Sequence, residues 1–328
     1  MGPRRCLGWG IRFAGLLILP LLIWLGVDVG STVDIIRQAN GSLVLAAIAL
    51  TMAGVLLRVW RWRVVARACG VPYTRYLDYL RLYFTGLFAG TAMPQVAAVF
   101  VPALFISGEG GPWRRAAVSI LLDRSLEMVL LLGFALWGAF YLFPAASPAV
   151  FAAAGAVCLG GAGMLALGYA GRRRRVNSRR LRHLTARFFS FAKVEQWGPT
   201  AKALSGSLGP LALASLVILA LQVSVAVSLA GALDLQVSLV FLVATYSLVL
   251  LATSLPISVL GLGPREGVLV AVLTASSVTT EEALALGILL SSVVIATRLP
   301  GVVPWFWHRR ASTSAPTLKD DLRFIRSD

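Results

Sequence analysis

Apolar residues run through this chain in long blocks, with neither the alternation of a half-buried strand nor the one-sided stripe of a soluble helix. Residues 16–27, 129–169, 210–233 and 268–278 carry no charge at all. Several of these blocks approach or exceed the roughly 20 residues that cross a hydrocarbon core as helix. The pattern predicts spans at 11–27, 42–57, 116–143, 148–170, 210–230 and 283–307, with a loop at 28–40 between the first two. Two further apolar regions are interrupted. Residues 82–107 contain Gly86, Gly90, Pro94 and Pro102, poor material for a straight helix and better suited to a hairpin that returns to the side it left. The second region runs apolar over 236–255, breaks at 256–264, and resumes as a short helix at 265–275. The predicted fold class is an all-α integral membrane protein, a polytopic helical bundle of about six full spans plus two broken or re-entrant segments.

Composition agrees: 58% of the residues are hydrophobic and only 13% are charged, so lipid is the solvent for most of the chain. The net charge of +16 would suit nucleic acid, but the basic residues sit in short blocks between apolar spans, where the positive-inside rule puts them. With both termini cytoplasmic, all but four of the 30 Lys and Arg fall on the inner side, the exceptions being Arg37, Arg124, Arg265 and Arg298. The expected location is therefore the cell membrane, multi-pass, and no nucleic-acid partner is expected. Arg58 to Arg81 forms one inner block, with Trp60 and Trp62 suited to the headgroup boundary and Arg298 near enough to the inner end of its span to snorkel. Residues 171–209 form a basic connector. Within it Leu181, Leu184, Phe188 and Phe191 recur at helical spacing, as in a helix lying on an anionic leaflet. A short polar tail, 311–328, follows the membrane domain, 1–310.

Residues 1–26 combine a basic start with an apolar run, as a secretory signal does, but no small-x-small cleavage site follows Leu25 and Cys6 precedes the run. A retained first helix is expected. Cys6, Cys69 and Cys158 show no metal-ligand or C-x-x-C spacing, and His183 and His308 have no partner at motif spacing. No catalytic residue, cofactor or metal site is expected, and the chain is read as a non-enzyme.

Two places could carry chemistry. In Thr253-Ser-Leu-Pro256-Ile-Ser258-Val-Leu-Gly261-Leu-Gly263-Pro264-Arg265-Glu266-Gly267, a proline and glycines break a helix inside apolar sequence, and the freed backbone groups need a cavity or protein partners. Pro264 fits the first position of the new helix. Its N-terminal amides and the Arg265 guanidinium could hold a phosphate or carboxylate, or Arg265 and Glu266 could pair with neighbouring helices and only pin the fold. Thr91-Ala-Met-Pro94 weakly echoes Thr253-Ser-Leu-Pro256, as paired broken segments do where a substrate site lies between two halves. The second place is Asp123-Arg124-Ser-Leu-Glu127, where Asp123 and Glu127 share a helix face and Arg124 can neutralise one of them.

These strings give the chain a resemblance to a known family. Arg58 to Arg67 with Gly70, then Leu121-Leu-Asp123-Arg124, then Pro256-Ile-Ser258 through Arg265-Glu266-Gly267 resemble the transmembrane domain of lysylphosphatidylglycerol synthase, with the elements in order over nearly the whole chain. The resemblance implies a stand-alone flippase domain: translocation of a polar lipid without its synthesis. It departs from the family at Pro94 to Ala103, which lacks the glycines and charges the family carries there, and this implies either a different substrate or lost transport. The expected substrate-binding set is Arg265, Glu266, Ser258, Gly261, Gly263, Asp123, Arg124 and Glu127. The expected ligand is a phospholipid or polyprenyl-phosphate lipid with an anionic or phosphate-bearing headgroup. An accessory protein presenting lipid to a separate lipid-modifying transferase is the alternative, an intramembrane enzyme using Asp123 or Glu266 is third, and a homo-oligomer fits any of them.

Overall fold

The computed structural model describes residues 28–73, 75–91, 98–108, 112–144, 204, 206–254 and 262–306. The expected spans at 11–27 and 148–170, nearly all of the 171–209 connector, the 311–328 tail, and Ser258 and Gly261 lie outside the described residues. Within them every element is helical: α1 Val29–Gln38, α2 Gly41–Ala68, α3 Tyr76–Ala89, α4 Val101–Gly108, α5 Trp113–Leu142, α6 Leu208–Ala232, α7 Leu239–Ser254, α8 Pro264–Leu273 and α9 Thr280–Arg298. A single 3-10 turn, Leu299–Gly301, carries α9 on to Phe306. Among the described residues α2, α5, α6 and the α9 unit are long and apolar enough to cross a membrane.

The region expected as a loop at 28–40 contains α1. Asp28 caps it, its carboxylate accepting from the Gly30 amide at 2.8 Å and from the Ser31 hydroxyl at 2.6 Å, which supplies the N-cap of this short helix. Asn40 caps α2 in the same way through Ser42 while its own amide donates to the Ala232 carbonyl at the end of α6. The start of α2 and the end of α6 are thereby tied together, and the two helices pack extensively.

Helix α2 also overturns an expectation. It does not end near residue 57 but continues through the basic block to Ala68. At 3.6 residues per turn this carries Arg58, Arg61, Trp62 and Val65 round to the face that meets α5 and α3. Trp62 is buried rather than at the headgroup boundary, donating from Nε1 to Ser119 Oγ at 3.1 Å and meeting Tyr79 edge to face at 5.3 Å.

Each interrupted region contributes two short helices that pack against each other. α3 and α4 run antiparallel: a Cβ on Gly90 would meet Ala98, and one on Gly86 would meet Pro102 at 3.1 Å. α7 and α8 pack together, and their far ends touch through Ser277 Oγ, which donates to the Gln236 carbonyl at 2.8 Å. At 16 and 10 residues, α7 and α8 are too short to cross singly, since about 20 are needed.

Helix α7 is held against α5 by a missing side chain. A Cβ on Gly138 would fall onto Ser247 Oγ and lie 2.6 Å from the Ala244 carbonyl oxygen, whereas Gly133, on the same helix, faces open space. Gly138→Val should therefore cost about 1–3 kcal/mol by overpacking and lower the melting temperature in detergent. Gly133→Ala should be neutral or gain up to about 1 kcal/mol of helix propensity. Equal melting temperatures for the two variants would contradict this packing.

Candidate functional site

The helices enclose a cavity of about 400 Å³, within the size range of small-ligand sites. Its walls are mostly aliphatic, from Leu50, Val55, Leu131, Ile218 and Leu290 among others. Five charged side chains interrupt them: Arg58, Arg124, Glu127, Arg265 and Arg298. Tyr83, Tyr246, Gln222, Thr253, Ser254 and Thr297 add polar atoms.

One side of the site is an ion cluster built on Arg61, which is fully buried. Its Nε and Nη2 grip the Asp123 carboxylate at 2.8 and 3.1 Å, the two-bond fork that suits guanidinium to carboxylate. Nη1 donates to Ser215 Oγ on α6 at 2.9 Å, and Nη2 also reaches Glu127 Oε2 at 3.2 Å. A single side chain from α2 therefore binds α5 and α6 at once. Glu127 stands at the middle of the 30-residue α5 and gathers three guanidinium groups, from Arg61, from Arg58 at 3.2 Å and from Arg124 at 2.9 Å. Arg124 also donates to the Tyr83 hydroxyl on α3 at 3.3 Å. Three cations and two carboxylates would each be costly alone in an apolar bundle; together they satisfy one another.

The opposite side is built on the start of α8. Gly263, at φ +90°, turns the chain into the helix in a region that only glycine adopts cheaply. Its amide donates to Glu266 Oε2 at 2.6 Å, while Ser291 on α9 donates to Glu266 Oε1 at 2.7 Å. Arg265 Nη1 donates to the same Ser291 oxygen at 2.8 Å. A Cβ on Gly287 would lie 2.9 Å from Glu266 Cγ, so α9 approaches closely enough for this relay only because Gly287 has no side chain. Arg298 lies below, buried, with Nη1 donating to the Gly90 carbonyl that ends α3 at 3.3 Å.

The expected site residues are thus brought together in part. Asp123, Arg124, Glu127 and Arg265 gather at or beside one cavity. Glu266 faces away from it, with both oxygens engaged in capping α8 and holding Ser291, and Gly263 serves the backbone turn. The echoed threonines do share a role: Thr91 and Thr253 each bond the last turn of the helix they follow or close, through Phe88 and Val249.

Three arginines were read otherwise. Arg58 and Arg61, assigned to the cytoplasmic rim, are inside the bundle, and Arg298, expected to snorkel, is inside as well. A signal for the first two was present. Asp123 and Glu127 with Arg124 alone leave an uncompensated carboxylate in apolar sequence, so a further cation had to come from another helix.

A comparison with protein families matches residues 12–299 to the family described as Lysylphosphatidylglycerol synthase TM region. Comparison with curated proteins and with solved structures gives no match.

Because Arg61 and Asp123 are buried, removing one leaves the other charged and unpaired. Arg61→Ala should cost about 3–5 kcal/mol, read as unfolding in detergent, and the double variant Arg61→Met with Asp123→Leu should recover most of it. A double variant less stable than Arg61→Ala would show that the pair is not the unit that matters.

Proposed function

This chain belongs to the lysylphosphatidylglycerol synthase TM region family, and from that membership and the cavity together we propose that it is a lipid flippase moving a phosphate-bearing lipid between leaflets of the cell membrane. The observation that carries this reading is a cavity that is aliphatic over most of its wall and lined by four arginines against one glutamate, the combination an acyl or prenyl chain with an anionic headgroup requires. In this reading the two hairpins, α3–α4 and α7–α8, are re-entrant segments entering from opposite faces, and four described spans join two more at 11–27 and 148–170. Both termini are cytoplasmic, and no covalent chemistry is performed on the lipid.

Opposed broken helices meeting near mid-membrane are how many transporters expose a substrate site to either side in turn. Here the junction is carried by arginine. Arg298, on α9, holds the last carbonyl of α3, and Arg265, on α8, holds α9 through Ser291. A headgroup phosphate that drew these guanidinium groups toward itself would loosen both junctions, which couples occupancy to movement of the hairpins. Ser258 and Gly261, in the break between α7 and α8, would line the path beside Arg265, and Asp123, Arg124 and Glu127 would lie on its other wall.

Leaflet exchange of fluorescent lipids in liposomes holding the purified protein tests the proposal. Wild-type protein should exchange at least one phosphate-bearing headgroup class faster than empty liposomes. Arg265→Ala should slow that exchange about tenfold or more, the value of one charge-assisted hydrogen bond. If folded, inserted protein exchanges nothing, autonomous flipping fails and presentation of lipid to a separate transferase takes its place.

A further inference from the structure

The charges in and around the cavity do not balance. The charged side chains that line it or are buried beside it are Arg58, Arg61, Arg124, Arg265 and Arg298 against Asp123, Glu127 and Glu266. Five guanidinium groups face three carboxylates. One positive charge is left over on each side, three guanidinium groups against Asp123 and Glu127 and two against Glu266, but direct ion pairing is uneven. Arg58, Arg61 and Arg124 each reach a carboxylate oxygen within 3.2 Å, while Arg265 and Arg298 form no ion pair among the described residues. Both are more than nine-tenths buried, at 8% and 6% exposure, and both line the cavity. Among the described residues each donates to a neutral oxygen, Ser291 Oγ or the Gly90 carbonyl.

Among the described residues no other carboxylate lines the cavity. The acidic residues outside the described segments are Glu109, Glu195, Asp320, Asp321 and Asp328, all in polar, glycine-rich or basic stretches rather than in the apolar blocks. Two buried guanidinium groups without a direct ion pair are costly in an apolar bundle, and the cost falls if the occupant of the cavity supplies the missing charge.

We infer that the cavity is matched to a dianionic phosphomonoester headgroup on a lipid, seated between Arg265 and Arg298. This rests on the flippase reading for its lipid and deepens it by naming the substrate class. Two negative charges neutralise the surplus of two. A phosphodiester headgroup with one charge leaves one guanidinium uncompensated, and an aminoacylated phospholipid brings cationic charge to a site whose carboxylates are all engaged. The aliphatic wall, Leu290, Val294 and Leu250 among its residues, distinguishes a lipid phosphate from free phosphate, because it offers apolar area that only a hydrocarbon chain would cover.

Equilibrium binding to the purified full chain in detergent tests this, using dioctanoyl phosphatidic acid and farnesyl phosphate as monoesters, dioctanoyl phosphatidylglycerol as diester, lysyl-phosphatidylglycerol as cationic lipid, and inorganic phosphate. The monoester lipids should bind about tenfold tighter than the diester, as one extra charge-assisted contact implies, and lysyl-phosphatidylglycerol weakest of the lipids. That preference should shrink as pH falls below about 6, where the monoester takes up its second proton, while diester binding stays level. Arg298→Gln should abolish the preference. Should that variant not fold, the wild-type ranking and its pH dependence carry the test alone.

Equal affinity for monoester and diester, or tighter binding of lysyl-phosphatidylglycerol, overturns the inference, and inorganic phosphate binding as tightly as the lipids overturns its lipid part. Monoester binding without leaflet exchange would sink the flippase reading and keep this one. Exchange of diester or cationic lipid without a monoester preference would do the reverse.

Discussion

An ion buried in an apolar bundle must find its partner on another helix, and in this protein that requirement organises the fold. Arg61 is the clearest instance. A fully buried guanidinium with five donors can be accommodated only where its neighbours supply acceptors in the right directions. The Asp123 carboxylate, Glu127 and the Ser215 hydroxyl do so from two other helices. Tight packing alone, with Leu against Leu, gains little in lipid because tails are as apolar as side chains. Satisfying polar groups and closing small-residue contacts such as Gly138 on Ser247 therefore specify which helices meet and in what register.

The same requirement separates the two sides of the cavity. Around Glu127 the guanidinium groups all reach a carboxylate, with one positive charge remaining. Around Arg265 and Arg298 they do not. Glu266 sits close by, but its oxygens are committed to the turn at Gly263 and to Ser291, so it stabilises the start of α8 rather than answering the charge of the cavity. A site that holds cations in place through neutral oxygens is preorganised for an anion, because no internal salt bridge has to break before the ligand binds.

Much of this architecture was legible in the sequence. Uncharged blocks located α5, α6 and α9, and Pro264 after Gly263 located the first turn of α8, because proline without an N–H and glycine at positive φ are demanded there by backbone geometry alone. What could not be read was the depth of the basic block on α2. Arg58 to Arg67 has the composition of a cytoplasmic rim; the spare carboxylate of Asp123 and Glu127 calls for a cation from another helix, but which arginines supply it shows only in three dimensions. Arg298, expected to snorkel from near the inner end of its span, is instead buried, with its guanidinium on the Gly90 carbonyl. Helix α1, ten residues with Asp34 and Arg37 exposed, is too short and too polar to stand out among the spans, although Ile36 packs on the core.

The account stands on the claim that the cavity is occupied by a phosphate-bearing lipid. Native mass spectrometry of the protein released directly from membranes tests that claim without a choice of probe. The account predicts a bound lipid whose mass and fragments include a phosphate headgroup, retained by the wild type and lost when Arg265 and Arg298 are both replaced by glutamine. A protein that emerges bare, or that carries a lipid without phosphate, would contradict it.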